Sequence, residues 1–217
     1  RDPRSTGELS AKTKGTKKTD ITETPEFRAW FRDSRVVDER GKPLVVYHGT
    51  GAEFSAFNPK MSGKNFGREI GYRKGFFFAK TPDSANVANF DKEIGGSPNI
   101  IPAYLSLQNP LEINIKKGEK IPGHWATFSE PTSYYDNNAK EINKKARNKK
   151  ADGVIIKNTD TGEAMYIAYN PSAIKSAIGN RGTWDASNPD IRHKKDENPK
   201  LTLPDTEVQE RMEKARG

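Results

Sequence analysis

The chain has 217 residues, of which 32% are hydrophobic and 30% charged, and it contains no cysteine. That length suits one domain with polar tails, and the missing thiols exclude disulfides, thiolate zinc sites and cysteine nucleophiles. Lys and Arg outnumber Asp and Glu by 37 to 29, an excess of +8. Such an excess favours an acidic partner such as nucleic acid, an anionic surface or a phosphorylated ligand, without choosing among them.

Residues 1–24 are Lys, Thr, Ser and Gly with almost nothing apolar, so they read as a flexible polar linker that cannot offset its ordering entropy. The start at Arg rather than Met is what an excised segment of something longer is expected to show. No apolar h-region and no run of about 18 apolar residues occurs, so a signal peptide and a spanning helix are not expected, and the piece reads as soluble with no membrane partner.

Thr24-Pro25 supplies an N-cap followed by proline at the first helical position, and Phe27, Trp30 and Phe31 share one helical face, which predicts a short amphipathic helix. Val36 to Asp38 and Pro43 to Tyr47 flank a charged turn containing Gly41. This predicts a hairpin that leaves His48 at a strand end. Residues 58–74, rich in Gly, Lys and Asn, read as a surface loop.

Phe76 to Ala79 is a short apolar run bounded by Gly75 and Thr81-Pro82, consistent with a buried strand leading to a helix over 82–90. Strands follow at 100–107 and 111–115, turned by Gln108-Asn109-Pro110. The stretch 116–136 is ambiguous. A helix over 137–150 carries six basic residues and one acidic one on a thin stripe of Ala139, Ile142 and Ala146. It reads as a solvated basic face, with nucleic-acid contact disfavoured because no aromatics interleave its charges.

The last clear strands are 153–156 and 165–169, with a polar turn at Gly162 between them. After Arg192 the chain turns polar again, as a C-terminal tail over 193–217 that could form a lone helix from Asp205. Many short strands with few helices, in no regular βαβ alternation, argue for an α+β domain over 25–192 with antiparallel sheets.

Three histidines in no metal-ligand spacing disfavour a zinc or iron site, and no serine-hydrolase elbow, P-loop or dinucleotide-binding glycine motif occurs. What remains is Tyr47-His48-Gly49-Thr50, then Gly75-Phe76-Phe77-Phe78-Ala79 with Ser84-Ala85-Asn86, then Tyr166-Ile167-Ala168-Tyr169. Each alone would pass as packing, His48 as a structural histidine and Phe76 to Phe78 as core. In this order and spacing they resemble the ADP-ribosyltransferase superfamily, close to the H-G-[ST], G-I-Y-F-A and S-A-N segments of poly(ADP-ribose) polymerases. The longer string from Phe31 to Thr50, with Pro171 to Ala177 and Gly179 to Asp185, is similar to the branch found in large polyvalent proteins of phages and mobile elements.

The resemblance implies an ADP-ribosyltransferase-like fold, two packed and mostly antiparallel sheets with flanking helices. It implies NAD as substrate, a phage or mobile-element protein acting in the bacterial cytoplasm, and a mono-ADP-ribosyltransferase acting on a host macromolecule, protein or nucleic acid. The alternatives are a catalytically silent NAD, ADP-ribose or nucleic-acid binding module, and an NAD glycohydrolase. Tyr47, His48, Gly49, Thr50, Phe77 and Ser84 are the implied NAD-binding residues, with His48 toward the ribose, Gly49 and Ser84 toward the carboxamide, and Phe77 stacking the ring in place of a tyrosine. The catalytic set is His48, Phe77 and a carboxylate.

One departure stands out. Met165 occupies the position where the polymerases carry glutamate, and Ala173 the position where relatives in the branch have Gln. Glu163, two residues before Met165 and so on the same face of an ideal strand, is the nearest carboxylate and the candidate for catalysis.

Overall fold

Thr24 behaves as its type and position predict. In the computed structural model its hydroxyl accepts from Phe27 N at 3.2 Å, Pro25 occupies the first turn, and α1 (Pro25–Phe31) buries Phe27, Trp30 and Phe31. The described residues are 20–65, 68–69, 72–86, 99–116, 130–180 and 190–192. Order extends ahead of the boundary expected at residue 25, because Ile21 lies in a 3-10 turn and packs against the α1 aromatics. The remainder of the linker, the tail with its helix from Asp205, the far end of the helix expected over 82–90 and the stretch Arg181 to Asp185 fall outside the described residues.

The expected hairpin is a brief one. Val37 and Pro43 form an isolated bridge around a turn in which the Asp38 carboxylate accepts from Arg40 N and Lys42 N, and the chain then enters β1 (Val46–Thr50). Residues 59–61 make a 3-10 turn, and β2 (Lys64–Asn65) and β3 (Arg68–Glu69) form a two-stranded ribbon where a loop was expected. Then come β4 (Phe76–Ala79), α2 (Pro82–Asn86), β5 (Asn99–Leu105), β6 (Leu111–Ile115), α3 (Pro131–Lys149), β7 (Gly153–Asn158), β8 (Ala164–Ala168) and β9 (Ile174–Ser176).

Helix α3 starts six residues before its expected N-terminus. Pro131 opens it, and Tyr135 continues the buried stripe Ala139, Ile142 and Ala146 back by one turn, so that Tyr135, with Tyr134 beside it, belongs to the helix face that packs.

Among the described residues, seven strands hydrogen-bond into one sheet in the order β6-β7-β8-β4-β1-β5-β9. The architecture is thus mixed α and β, as expected, but the strands join in a single seven-stranded sheet in place of two packed sheets. The reason lies in β4, which pairs with β8 on one edge and with β1 on the other and so joins two wings. One pair is parallel: β6 and β7 are neighbours connected through α3, a βαβ crossover the sequence pattern did not suggest.

Side-chain alternation gives the sheet two unlike faces. On one, Val46, Phe76, Phe78, Ala103, Leu105, Ile155 and Tyr166 form the main core with Phe57 and Val36 from the loops. On the other, α3 covers Val154, Ile156, Met165 and Ile167, α2 lays Ala85 against Tyr47 and Ile100, and α1 covers Tyr104.

Candidate functional site

The two edges of β4 differ. With β8 it forms four registered pairs, from Phe76 opposite Ala168 to Ala79 opposite Met165. With β1 it registers one pair, Tyr47 opposite Ala79. Beyond that pair His48 takes over, its Nδ1 lying 2.8 Å from the Phe77 carbonyl oxygen.

A carbonyl only accepts, so His48 Nδ1 carries the proton, and in the neutral ring Nε2 is left as an acceptor. Burial holds the imidazole pKa below its usual value, with the Phe77 bond pulling weakly the other way. The ring sits among Phe57, Phe78 and Phe54, with centroids 5.0, 5.4 and 6.0 Å away.

Alternation with the observed registers puts His48 and Phe78 on the core face, and Gly49, Phe77, Met165 and Glu163 on the helix-bearing face. His48 and Phe77 therefore meet through the main chain rather than ring to ring. Gly49 contributes only backbone at this point, which permits close approach by a ligand.

Phe77 is half-buried. Its ring meets Tyr135 of α3 edge-on, with centroids 5.3 Å apart, and the Arg73 guanidinium lies over it at 5.0 Å from the centroid. Arg73 is fixed in turn by Asp136, with Nε and Nη2 at 2.7 and 2.5 Å from the two carboxylate oxygens, the bidentate geometry that suits guanidinium. Burial pushes the Tyr135 phenol pKa up, so the hydroxyl stays protonated and serves Asn143 and Lys74 N as a hydrogen-bond partner.

Ser84 and Glu163 are brought together. The Ser84 hydroxyl donates to Glu163 Oε2 at 3.3 Å and accepts from the Thr81 hydroxyl at 2.8 Å, while Thr81 Oγ1 also accepts from Ser84 N at the start of α2. Glu163 lies just before β8, half-buried. Two residues at about 3.3 Å each set its Cα roughly 7 Å along the strand from Met165. Met165 itself is buried under α3, with the Thr132 hydroxyl 3.7 Å from its sulfur, a contact too weak to replace a carboxylate.

Two of the expected residues have supporting positions. Tyr47 is buried against Ala85 and Ile100 beneath the junction, and the Thr50 hydroxyl accepts from Ala52 N at 3.1 Å, shaping the turn after β1. Arg73, Asp136 and Tyr135 were not singled out from the sequence. The two members of the ion pair stand 63 residues apart, and no local motif announces such a contact.

Residues 38–184 match the family model described as ADP-ribosyltransferase in polyvalent proteins. The chain belongs to this family. The match spans every candidate site residue from Tyr47 to Met165, and membership implies NAD as the donor substrate. No curated protein and no solved structure matches the chain. Among the described residues no cluster of His, Asp and Glu suits a metal ion, and no helix is long and apolar enough to cross a membrane.

Proposed function

We propose that this ADP-ribosyltransferase moves a single ADP-ribose from NAD to a macromolecular acceptor and releases nicotinamide. His48 Nε2 accepts from a ribose hydroxyl, the Gly49 peptide pairs with the carboxamide, and Phe77 stacks the pyridinium. Ser84, already donating to Glu163, keeps a lone pair for a carboxamide N–H. In the transfer, an oxygen or nitrogen of the acceptor bonds to C1′ of the nicotinamide ribose. The bond from C1′ to the pyridinium nitrogen breaks with its electron pair passing to that nitrogen, giving neutral nicotinamide, and the nucleophile's proton passes to Glu163 or solvent. Glu163 is assigned to stabilise the positive charge that develops on the ribose.

The observation that supports this reading most directly is the Ser84–Glu163 hydrogen bond. It holds a carboxylate against the serine of the S-A-N segment, on the same sheet face as Gly49 and Phe77. Incubation with NAD and cell lysate should release nicotinamide and label an acceptor with ADP-ribose. Glu163→Gln should slow release on the order of 100-fold while NAD binding by calorimetry persists. Unchanged release removes Glu163 from the mechanism.

Met165 favours a second reading, in which the site binds NAD without turnover, since a buried thioether stands where the polymerases carry glutamate. NAD binding with no nicotinamide release selects it, and a gain of release in Met165→Glu identifies what is missing. Release without a labelled acceptor selects a glycohydrolase.

A further inference from the structure

The outer side of α3 is strongly positive. Lys140, Lys144, Lys145, Arg147, Lys149 and the cap residue Lys150 are all exposed, against Asp136 and Glu141 over the same stretch, which leaves four positive charges in excess. Asp136 is engaged by Arg73, Glu141 lies 3.8 Å from Lys145, and Lys149 donates to the Pro110 carbonyl at 2.8 Å.

The helix's own sequence offers no aromatic among these charges, but the fold supplies one. Tyr72, 53% exposed, has its carbonyl bonded by Asn143 Nδ2 at 2.6 Å and its ring under Lys140 Nζ at 4.3 Å. Its neighbour Arg73 lies over Phe77, so this basic, aromatic-bearing surface runs directly into the candidate site.

We infer that single-stranded nucleic acid docks on this surface, its phosphates along Lys140, Lys144 and Lys145 and an unpaired base on Tyr72, and that this strand is the ADP-ribose acceptor. The acceptor assignment rests on the transferase reading, and the docking does not. Charge alone would serve a duplex or an acidic protein equally well. An exposed ring held beside Lys140 at the edge of the basic helix adds a partner for an open base face, which neither of those presents.

Fluorescence anisotropy with a labelled 20-nucleotide single strand, the matching duplex and polyglutamate tests the docking without NAD. The single strand should bind best, with affinity falling as salt rises at a log–log slope of about −2 to −3 for three or four neutralised phosphates. Tyr72→Ala should weaken single-strand binding at least 5-fold, with Tyr72→Phe close to the parent and duplex binding little changed. Lys144→Glu with Lys145→Glu should weaken both nucleic acids at least 10-fold while nicotinamide release from NAD alone is unchanged. Polyglutamate binding as well as the strand, or Tyr72→Ala without effect, overturns the docking. With NAD carrying a labelled adenylate, label on protein and none on the strand overturns the acceptor assignment. Strand binding without nicotinamide release sinks the transferase reading and spares the docking.

Discussion

Strand β4 meets β8 through an unbroken four-pair ladder and meets β1 through one pair and a histidine. The β8 edge is built for permanence. Gly75, at φ +89°, enters the strand so tightly that a Cβ would stand 2.5 Å from the Ile167 side chain. On the β1 edge, main-chain pairing stops at the H-G-T segment, and the Phe77 carbonyl that would otherwise lack a partner is bonded by His48. On the reading in which the Gly49 peptide meets the ligand, the ladder is interrupted beside it, and a side chain makes the interruption tolerable.

Two adjacent phenylalanines of β4 give the largest effect with which to break this comparison. Phe78 is 2% exposed within the core shared by both wings, so Phe78→Ala should cost about 3–5 kcal/mol, read as a drop in the denaturation midpoint. Phe77, half-buried on the other face, should cost clearly less as Phe77→Ala yet lose NAD affinity by calorimetry. Equal stability losses, with NAD affinity intact in Phe77→Ala, would mean that both faces of β4 are simply core.

Much of this division was readable in the letters. The apolar run at 76–79 between Gly75 and Pro82, and the Thr24-Pro25 cap, are local signals, and both elements form where they point. Glu163 is legible as the carboxylate nearest Met165 and on its strand face, a matter of sequence position and backbone parity; its contact with Ser84 depends on the β4–β8 register, which no local pattern encodes. The single continuous sheet has no local signature, because the joining of wings is decided by which strands β4 pairs with, a long-range matter. The same holds for the βαβ crossover through α3, for Arg73 on Asp136, and for Tyr72 under Lys140. Each depends on packing between segments tens of residues apart.

A smaller effect should come from the end of β4. Thr81 caps α2 through Ser84 N and orients the Ser84 hydroxyl that reaches Glu163. Thr81→Val keeps the shape and removes the acceptor, so stability should fall by about 1 kcal/mol. Nicotinamide release should fall more than that loss of folded protein accounts for. Release that merely tracks the folded fraction would make Thr81 a cap and nothing further.

The smallest expected effect lies at the β1 edge and depends on pH. Burial lowers the folded-state pKa of His48 below 6.5, so as pH falls the unfolded chain takes up the proton first, and stability rises with pH through that window. Between pH 8 and about 7 the parent and His48→Gln should show parallel denaturation midpoints. Below about 6.5 the parent should lose stability faster, until the folded pKa is passed and the difference levels off. His124 and His193 are present in both proteins and cancel. The Nδ1 bond to Phe77 survives protonation, because that nitrogen donates in either state. What is lost is the desolvated neutral ring and, with it, the Nε2 acceptor, so NAD affinity in the parent should fall with the folded-state pKa, at a lower pH than the onset of the stability loss. Identical pH profiles for the parent and His48→Gln would show that the imidazole is as well solvated in the fold as in the open chain.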